Sequence, residues 1–525
     1  MTGERVVIVG AGVGGLVSAA LLAARGFEVT LIEAAATPGG KLRQVGAGGV
    51  AIDAGPTVFT MRALFEEIFD AVGSSLGDHV TLRAASTLAR HAWGDARLDL
   101  FADPARSEAA IGDFAGAASA RGYRAFRAEA QRIFATLDNA FLRAPRTNPL
   151  GLTWRLGLKG FADLLAIRPY ETLWDALGGH FRDPRLRQLF GRYATYCGSS
   201  PFRAPATLML IAHVEASGVW LIDGGMYALA RGLEAVARAR GARLLYGRAV
   251  REIRVAHGRA AGVTLDDGER IDADAVVCNA DPAALAGGSL GCAAAHAVGR
   301  TAPRDRSLSA MVWTAQGDAT GFPLIRHNVF FSDDYPAEFV SLARGRLAAR
   351  PSVYVCAQDR DDGAGSGPSL GRERFQIIVN APAVGGTGAL TPEETLSCTM
   401  RMLGTLKGAG LSLKLSPEAT VLTTPDDFER MFPQTGGALY GRASHGWAAS
   451  FRRQATRTRI PGLYCAGGST HPGAGVPMAA LSARLAVDCL LRDRASTSRS
   501  RVAAMPGGTS MRSATSRDPM EAASA

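Results

Sequence analysis

The residues with the clearest capacity for chemistry stand at the start of the chain. Gly10-Ala11-Gly12-Val13-Gly14-Gly15 has the spacing G-x-G-x-x-G. It follows the apolar, β-branched run Arg5–Val9 and opens the Ala- and Leu-rich stretch Leu16–Arg25. A strand, a glycine turn and a helix in this order can bind the pyrophosphate of a dinucleotide. Gly10 permits the tight turn, Gly12 lets a pyrophosphate approach the backbone, and Gly15 lets the helix pack closely on the strand. Gly14 stands in the same turn, and the helix N-terminus adds free N–H groups and the positive end of its dipole. Glu33 ends the next apolar run, Glu28–Glu33, where a carboxylate accepts hydrogen bonds from a ribose.

Two further turns favour FAD over NAD. Pro38-Gly39-Gly40-Lys41-Leu42-Arg43 is a second glycine turn whose cations can face a phosphate or a flavin; ordinary surface charge is the alternative for Lys41 and Arg43. Asp53-Ala54-Gly55-Pro56-Thr57 follows closely. An NAD domain has no need of extra turns there, whereas a flavin extends further along the protein. Near the other end, Leu463–Met478 (LYCAGGSTHPGAGVPM) exposes backbone N–H groups just before a helix. Such a terminus can bond the pyrimidine end of a flavin and stabilise the negative charge of its reduced form.

Glu215 is the one candidate catalytic side chain. It lies in the apolar stretch LMLIAHVEASGVW, where burial would raise its pKa toward the range useful to a general base. The alternative is a carboxylate that satisfies backbone donors. His213, nearby, reads as a core histidine, and His471, before Pro472, as structural. No Ser-His-Asp arrangement or metal-ligand spacing is present.

The elements around these residues describe a multidomain chain. It has 525 residues, 47% hydrophobic and 20% charged, which excludes a disordered chain, a small disulfide scaffold and a collagen-like repeat. Its seven cysteines form no C-x-x-C pair, so a reducing compartment fits best. The net charge of +10 is almost all arginine, spread and interleaved with acids; nucleic acid is not the expected partner, and weak attraction to anionic lipid is more plausible. No run is long enough to span a bilayer, and no leader peptide is visible. Three α/β pieces recur, near the N-terminus, over 225–282 and near the C-terminus. Residues 76–224 read as mostly helical and 290–415 as mixed. The expected fold is α/β: a Rossmann-like FAD domain from 1–75, 225–290 and 415–494, with an inserted mixed α+β substrate domain from 76–224 and 291–414. The Ser-, Ala- and Arg-rich residues 495–525 are expected to be an unstructured tail. Leu150–Ile167 (LGLTWRLGLKGFADLLAI) suits either a helix in a bilayer interface or a core-facing amphipathic helix.

Taken together, Gly10–Gly15 with Glu33, Pro38–Lys41, Asp53–Thr57 and Thr470–Pro477 resemble the bacterial phytoene-desaturase type of carotenoid desaturase, within the FAD-dependent amine-oxidase-like superfamily. The resemblance covers about residues 5–492. Leu189–Cys197, Glu215–Met226, His327–Phe331 and Tyr354–Arg360 resemble the branch acting on hydroxylated or methoxylated acyclic carotenoids, the hydroxyneurosporene (1-hydroxycarotenoid 3,4-) desaturases. Gln454 departs from the pattern, where relatives carry proline. The resemblance implies a glutathione-reductase-type FAD fold. It also implies FAD contacts from Gly10, Gly12, Gly15, Glu33, Gly40, Lys41, Arg43, Gly55, Pro56, Thr57, Val250, Gly467, Gly468, Val476, Pro477 and Met478. It places a glutamate at Glu215. It implies a lipophilic carotenoid as substrate and a peripheral place on the inner membrane of a bacterium. Alternatives are phytoene desaturation, amine or porphyrinogen oxidation, and a non-enzymatic binder of prenylated partners. Oligomeric state is not readable.

Overall fold

The computed structural model describes residues 3–145, 151–152, 167–362, 372–386, 388 and 390–503. Residues 150 and 153–166 of the Leu150–Ile167 segment lie outside the described residues, as do 504–525 of the expected tail. The C-terminal helix is longer than the sequence reading allowed. It runs from Val476 to Ala503, so the chain is still helical where the unstructured tail was expected to begin.

Arg5–Val9 is the middle of a five-stranded parallel sheet. The strand order is Arg243–Leu245, Glu28–Ile32, Arg5–Val9, Ala275–Cys278 and Leu463–Cys465. Val6 and Ile8 face a core shared with the Val13–Ala23 and Tyr227–Ala239 helices and the C-terminal helix. Val7 and Val9 face the opposite core, closed by an antiparallel meander of Val250–Ala256, Arg259–Leu265 and Arg270–Asp272. Both faces are buried, which is why the run is apolar throughout rather than alternating. The chain leaves Arg5–Val9 toward one edge and returns at Ala275–Cys278 on the other side. The crevice at the carboxyl ends of these two strands is where an open α/β sheet binds its ligand.

A second sheet has seven strands, in the order Ser412–Thr423, Ser309–Thr320, Glu373–Ala381, Val353–Ala357, His327–Phe330, Thr87–Trp93 and Ala96–Phe101. Alternation sorts its side chains. Val353, Val355, Phe375, Ile377 and Val379 enter a core with the Pro392–Gly408 helix. Tyr354, Cys356, Gln376 and His327 stand on the other face, by the period-two rule and the strand register. That face looks toward the glycine turns: Gln376 Nε2 donates to Gly55 O (2.9 Å) and Gln358 Nε2 to Asp53 O (2.8 Å).

The sheet bears on two sequence expectations. The 76–224 region is mostly helical among the described residues, and it also supplies a hairpin, Thr87–Trp93 and Ala96–Phe101 across Gly94-Asp95. The proposed boundary at 414/415 falls inside a strand of the second sheet, Ser412–Thr423. Helices from Pro104 to Ala216 cover this sheet on the side facing the turns. Phe126 and Phe190 anchor that layer, fully buried with ring centroids 4.6 Å apart. Each such side chain contributes roughly 1.5–3 kcal/mol by burial. Gln188 ties helix to sheet, accepting from Trp93 Nε1 (2.8 Å) and donating to Ser332 O (2.7 Å).

Candidate functional site

Three glycine turns meet at the crevice. Gly12 pairs with Gly39 in an isolated bridge, and Gly40, at φ +60°, brings its Cα side within 3.2 Å of Gly12 for any added Cβ. A Cβ on Gly14 would stand 3.0 Å from the Gly467 backbone. One on Gly15 would lie 1.9 Å from the Gly10 carbonyl oxygen, and one on Gly55 2.1 Å from that of Lys41. Gly467 has φ +118°, a conformation only glycine adopts without strain. The turns therefore form one cradle walled by backbone.

Asn279 holds the cradle together. It follows the buried Ala275–Cys278 strand, and its Nδ2 donates to Ala466 O at 3.0 Å. Its amide is the atom that a side chain on Gly12, Gly14 or Gly467 would strike. The sequence reading passed over it, since a lone asparagine at a strand end carries no motif. Glu33 sits at the rim. Its carboxylate accepts from Ala11 N (2.6 Å) and Ala35 N (2.9 Å), beside the 245–248 segment that leads to Val250.

The cations take unexpected places. Lys41 donates to Leu439 O (2.6 Å) and lies over the Phe432 ring. Burial pulls its pKa down, Asp281 opposes this, and Arg453 adds to it. Arg43 turns away to Thr423 Oγ1 (3.0 Å) and the Phe428 ring. Both cations thus tether the second glycine turn to the 423–439 segment. Arg453, unread in the sequence among so many arginines, is the cation at the third turn. It donates to Tyr440 O, Arg442 O and Gly468 O at 2.8–3.2 Å. Val476, Pro477 and Met478 form the first turn of the C-terminal helix just beyond.

The residues present fit FAD. The cradle admits no side chain, a carboxylate stands at its rim, and Arg453 and a helix N-terminus stand at its far end. Two buried polar atoms beside it have no protein partner among the described residues: Gln376 Oε1, whose amide bonds Gly55, and Thr470 Oγ1, three residues after Gly467. Pro56 and Thr57 continue from Gly55, and Thr57 Oγ1 shares a 2.7 Å hydrogen bond with Tyr354 OH.

Beyond the cradle lies a group of partly buried polar side chains, Lys41, Arg192, Tyr196, Glu215, Tyr354 and Tyr440. The Arg192–Cys197 segment joins its two ends. Cys197 lies beside Arg453 and Tyr440, and Arg192 lies over the Tyr196 ring at 5.0 Å.

Glu215 occupies the Leu210–Ala216 helix and points at this segment. Its carboxylate accepts from Tyr193 OH (2.6 Å) and Tyr196 OH (3.3 Å), and Arg192 donates to Tyr196 OH (2.8 Å). Burial raises the Glu215 pKa, against the pull of Tyr193, Arg192 and Tyr196. Glu215 thus bonds two phenols rather than backbone donors. His213 is only half-buried, on Phe134, and His471 is buried with Nε2 2.8 Å from Ala144 O. On the sheet side, His327 Nδ1 lies 2.7 Å from Tyr354 OH. Burial, with Arg326 and Arg192 nearby, lowers the His327 pKa to about 3, so the ring is neutral at ordinary pH.

The chain is similar to known proteins. Residues 13–296 match the family model of flavin containing amine oxidoreductases. The chain is 51% identical to a hydroxyneurosporene desaturase of Rubrivivax gelatinosus, over 98% of each chain. It is 45% identical to a hydroxyneurosporene desaturase of Cereibacter sphaeroides, over 94% of this chain and 99% of that one. A putrescine oxidase redesigned in its cofactor binding superposes with a TM-score of 0.58 at 14% identity, covering 93% of this chain and 99% of that one, a likeness of fold.

Proposed function

We propose, for a chain that belongs to the flavin-containing amine oxidoreductases and within them to the hydroxyneurosporene and related carotenoid desaturases, a specific substrate and division of labour. The enzyme is an FAD-dependent carotenoid desaturase, and its substrate is an acyclic carotenoid oxygenated at position 1, in which it forms the 3,4 double bond. The observation that carries this reading is a hydrogen-bonded network drawn from the four stretches that resemble the hydroxycarotenoid branch: Arg192, Tyr193 and Tyr196 with Glu215, and His327 with Tyr354, which reaches the cradle through Thr57.

Removing two hydrogens from a saturated carbon pair takes a hydride and a proton. Bound FAD supplies the hydride acceptor. Hydride loss from the carbon next to the polyene leaves a positive charge that the conjugated system spreads. The proton on the neighbouring carbon then has to leave, and its bonding electrons become the new double bond. Glu215 is the group placed to take that proton. Tyr193 and Tyr196 aim the carboxylate, and Arg192 opposes the upward pull of burial on its pKa. Enclosure by the helical layer excludes water from the cation.

The same reading places the enzyme on the cytoplasmic face of a membrane. No helix among the described residues is long and apolar enough to cross one. Tyr170 and Trp447 are exposed large aromatics, 71% and 44%, packed edge to face at 5.5 Å. Aromatic rings of this kind favour the headgroup level. Phe451, Phe141 and His471 continue the file inward, each ring 4.9–6.3 Å from the last, toward the third glycine turn. Tyr170→Ser with Trp447→Ser is expected to lower co-sedimentation with anionic vesicles while flavin content is unchanged; equal co-sedimentation would refute this docking face.

The function itself is tested in liposomes carrying a 1-hydroxylated acyclic carotenoid. Protein with FAD should shift the visible bands to the red as conjugation lengthens. A flavin-loaded protein that leaves the bands in place would refute the substrate.

A further inference from the structure

Two clefts in the molecule differ in their balance of charge. The larger, of about 350 Å³, opens beside Asp53 and Thr57. Its four arginines, Arg83, Arg326, Arg360 and Arg374, face four aspartates, Asp53, Asp223, Asp359 and Asp361. Arg83, Arg360 and Arg374 are each ion-paired, so this cleft calls for no further charge. The smaller, of about 90 Å³, reaches Ser469, next to Gly468 of the third glycine turn, and is not balanced. Arg300, Arg306, Arg442 and Arg452 line it with a single acid, Asp281.

The chain builds this second cleft largely from backbone contacts. Arg306 and Arg442 stand opposite each other in an isolated antiparallel bridge, and residues so placed send their side chains to one face. Gly441, at φ +67°, packs against Ser469, and its carbonyl accepts from Ser307 N (2.8 Å). Arg453 Nη2 donates to Arg442 O (2.8 Å). Gly436, at φ +65°, leaves room for the Arg306 guanidinium, which a side chain there would strike. Gln454, the position at which relatives carry proline, is part of the wall.

The nearby acids are already engaged. Asp281 accepts from Ser469 Oγ and from Ala283 N (2.9 Å), and Asp305 pairs with Arg442 at 2.9 Å. Arg306 donates to Gln434 O (3.2 Å), a neutral acceptor. Neither the Arg300 nor the Arg452 guanidinium has a hydrogen-bond or ion-pair partner among the described residues. Like charges gathered this closely repel, and an anion in the cleft removes that cost. One guanidinium fork suffices for a planar carboxylate, whereas forks converging from separate segments suit a tetrahedral oxyanion. The space holds several waters, which is the room that a phosphate group needs. The cleft also neighbours the docking aromatics: Arg452 follows Phe451 in the short Ala449–Arg452 helix, and Phe451 packs on Trp447 at 6.3 Å.

We propose that Arg300, Arg306, Arg442 and Arg452 form a phosphate-binding pocket that takes the headgroup phosphate of an anionic phospholipid when the enzyme docks. The lipid as source rests on the membrane contact proposed above; the phosphate chemistry rests on the cleft alone. A zwitterionic headgroup carries its own cation beside the phosphate, which the arginines repel, so anionic lipid is preferred. A seated headgroup fixes the orientation of the enzyme about the Tyr170–Trp447 contact.

The flavin-loaded enzyme is titrated calorimetrically with inorganic phosphate, against chloride at equal ionic strength. It is also co-sedimented with phosphatidylcholine vesicles with and without phosphatidylglycerol. Wild type is expected to bind phosphate, and Arg300→Gln with Arg452→Gln to bind it at least about tenfold more weakly. Flavin content and Tm should be unchanged, because neither residue has a partner to lose. Arg300→Lys with Arg452→Lys keeps the charge but removes the forks, and should also weaken phosphate. Lys407→Gln with Lys414→Gln removes equal charge from the second sheet and the helix behind it, and should change neither measurement. Binding to phosphatidylglycerol vesicles should weaken in the same variants, and inorganic phosphate should release the wild type where chloride does not. No phosphate binding by wild type, binding as tight in either pair of arginine variants, or binding only by flavin-free protein overturns the pocket; the last result assigns the arginines to the pyrophosphate of FAD. Phosphate binding with vesicle binding unchanged in the variants overturns the lipid as its source. A wild type that ignores anionic vesicles overturns the membrane contact, and the titration then decides the pocket by itself.

Discussion

Gly15→Ala is expected to abolish FAD binding. The added carbon would lie 1.9 Å from the Gly10 carbonyl oxygen and 3.1 Å from its carbon, both backbone atoms of the turn that opens the cradle. No flexible side chain can yield there, so either the turn opens or the Val13–Ala23 helix moves off the parallel sheet. Overpacking typically costs about 1–3 kcal/mol, and a clash with backbone lies at the upper end of that range. The movement also takes the helix N-terminus away from the pyrophosphate, so affinity falls in addition to stability. The purified variant should be colourless, with a lowered Tm that added FAD does not restore. Gly46→Ala is the control, because Gly46 is exposed and an added carbon there meets nothing within 4 Å. A yellow Gly15→Ala protein with the wild-type Tm would contradict the cradle as described.

Glu215→Gln should lower kcat by about 10²–10⁴-fold, the usual contribution of a positioned base. The amide is isosteric and can still accept from Tyr193, so flavin content and substrate affinity should change little. The pH profile carries the sharper reading. Burial raises the Glu215 pKa above the ordinary carboxylate value, and a base works only when ionised. Wild-type kcat should therefore rise with pH across a limb displaced upward from the normal carboxylate range. That limb should vanish in the variant. A variant with kcat within a few-fold of wild type and an unchanged profile would mean that the carboxylate only holds Tyr193 and Tyr196 in place.

What could be read from the sequence was what glycine makes visible. The cradle is built from backbone, so its turns announce themselves as Gly10–Gly15, Gly39-Gly40, Gly55 and Gly467-Gly468, and Glu33 stands at the end of a recognisable strand. The network around Glu215 and Tyr354 is built from side chains of 192–215 and 327–354, and nothing local in those stretches announces it. Arg192 and Arg453 look like any other arginine until their burial is known. Asn279 looks like the end of a strand. Lys41 and Arg43 were legible as cations beside a glycine turn, but not as tethers to Leu439 and Thr423, nearly four hundred residues away. The Thr87–Phe101 hairpin was passed over because its strands follow a short helical stretch and precede a long one. Its turn, Gly94-Asp95, and the alternation on either side were the signals available. The start of the tail was placed early because Ser and Arg lower the mean hydropathy of a helix that continues on its own backbone hydrogen bonds.

The central claim is that this enzyme moves a hydride from a position-1-oxygenated carotenoid onto its flavin. The most direct measurement is an anaerobic single turnover. Flavin-loaded enzyme is mixed with liposomes carrying a 1-hydroxylated acyclic carotenoid, and the flavin and carotenoid bands are followed together. The account predicts that the oxidised flavin band bleaches in step with the red shift of the polyene, one flavin reduced per double bond formed, and that admitting an electron acceptor restores the flavin. A flavin band that stays oxidised while the polyene changes, or a polyene that stays unchanged beside bound flavin, would contradict it.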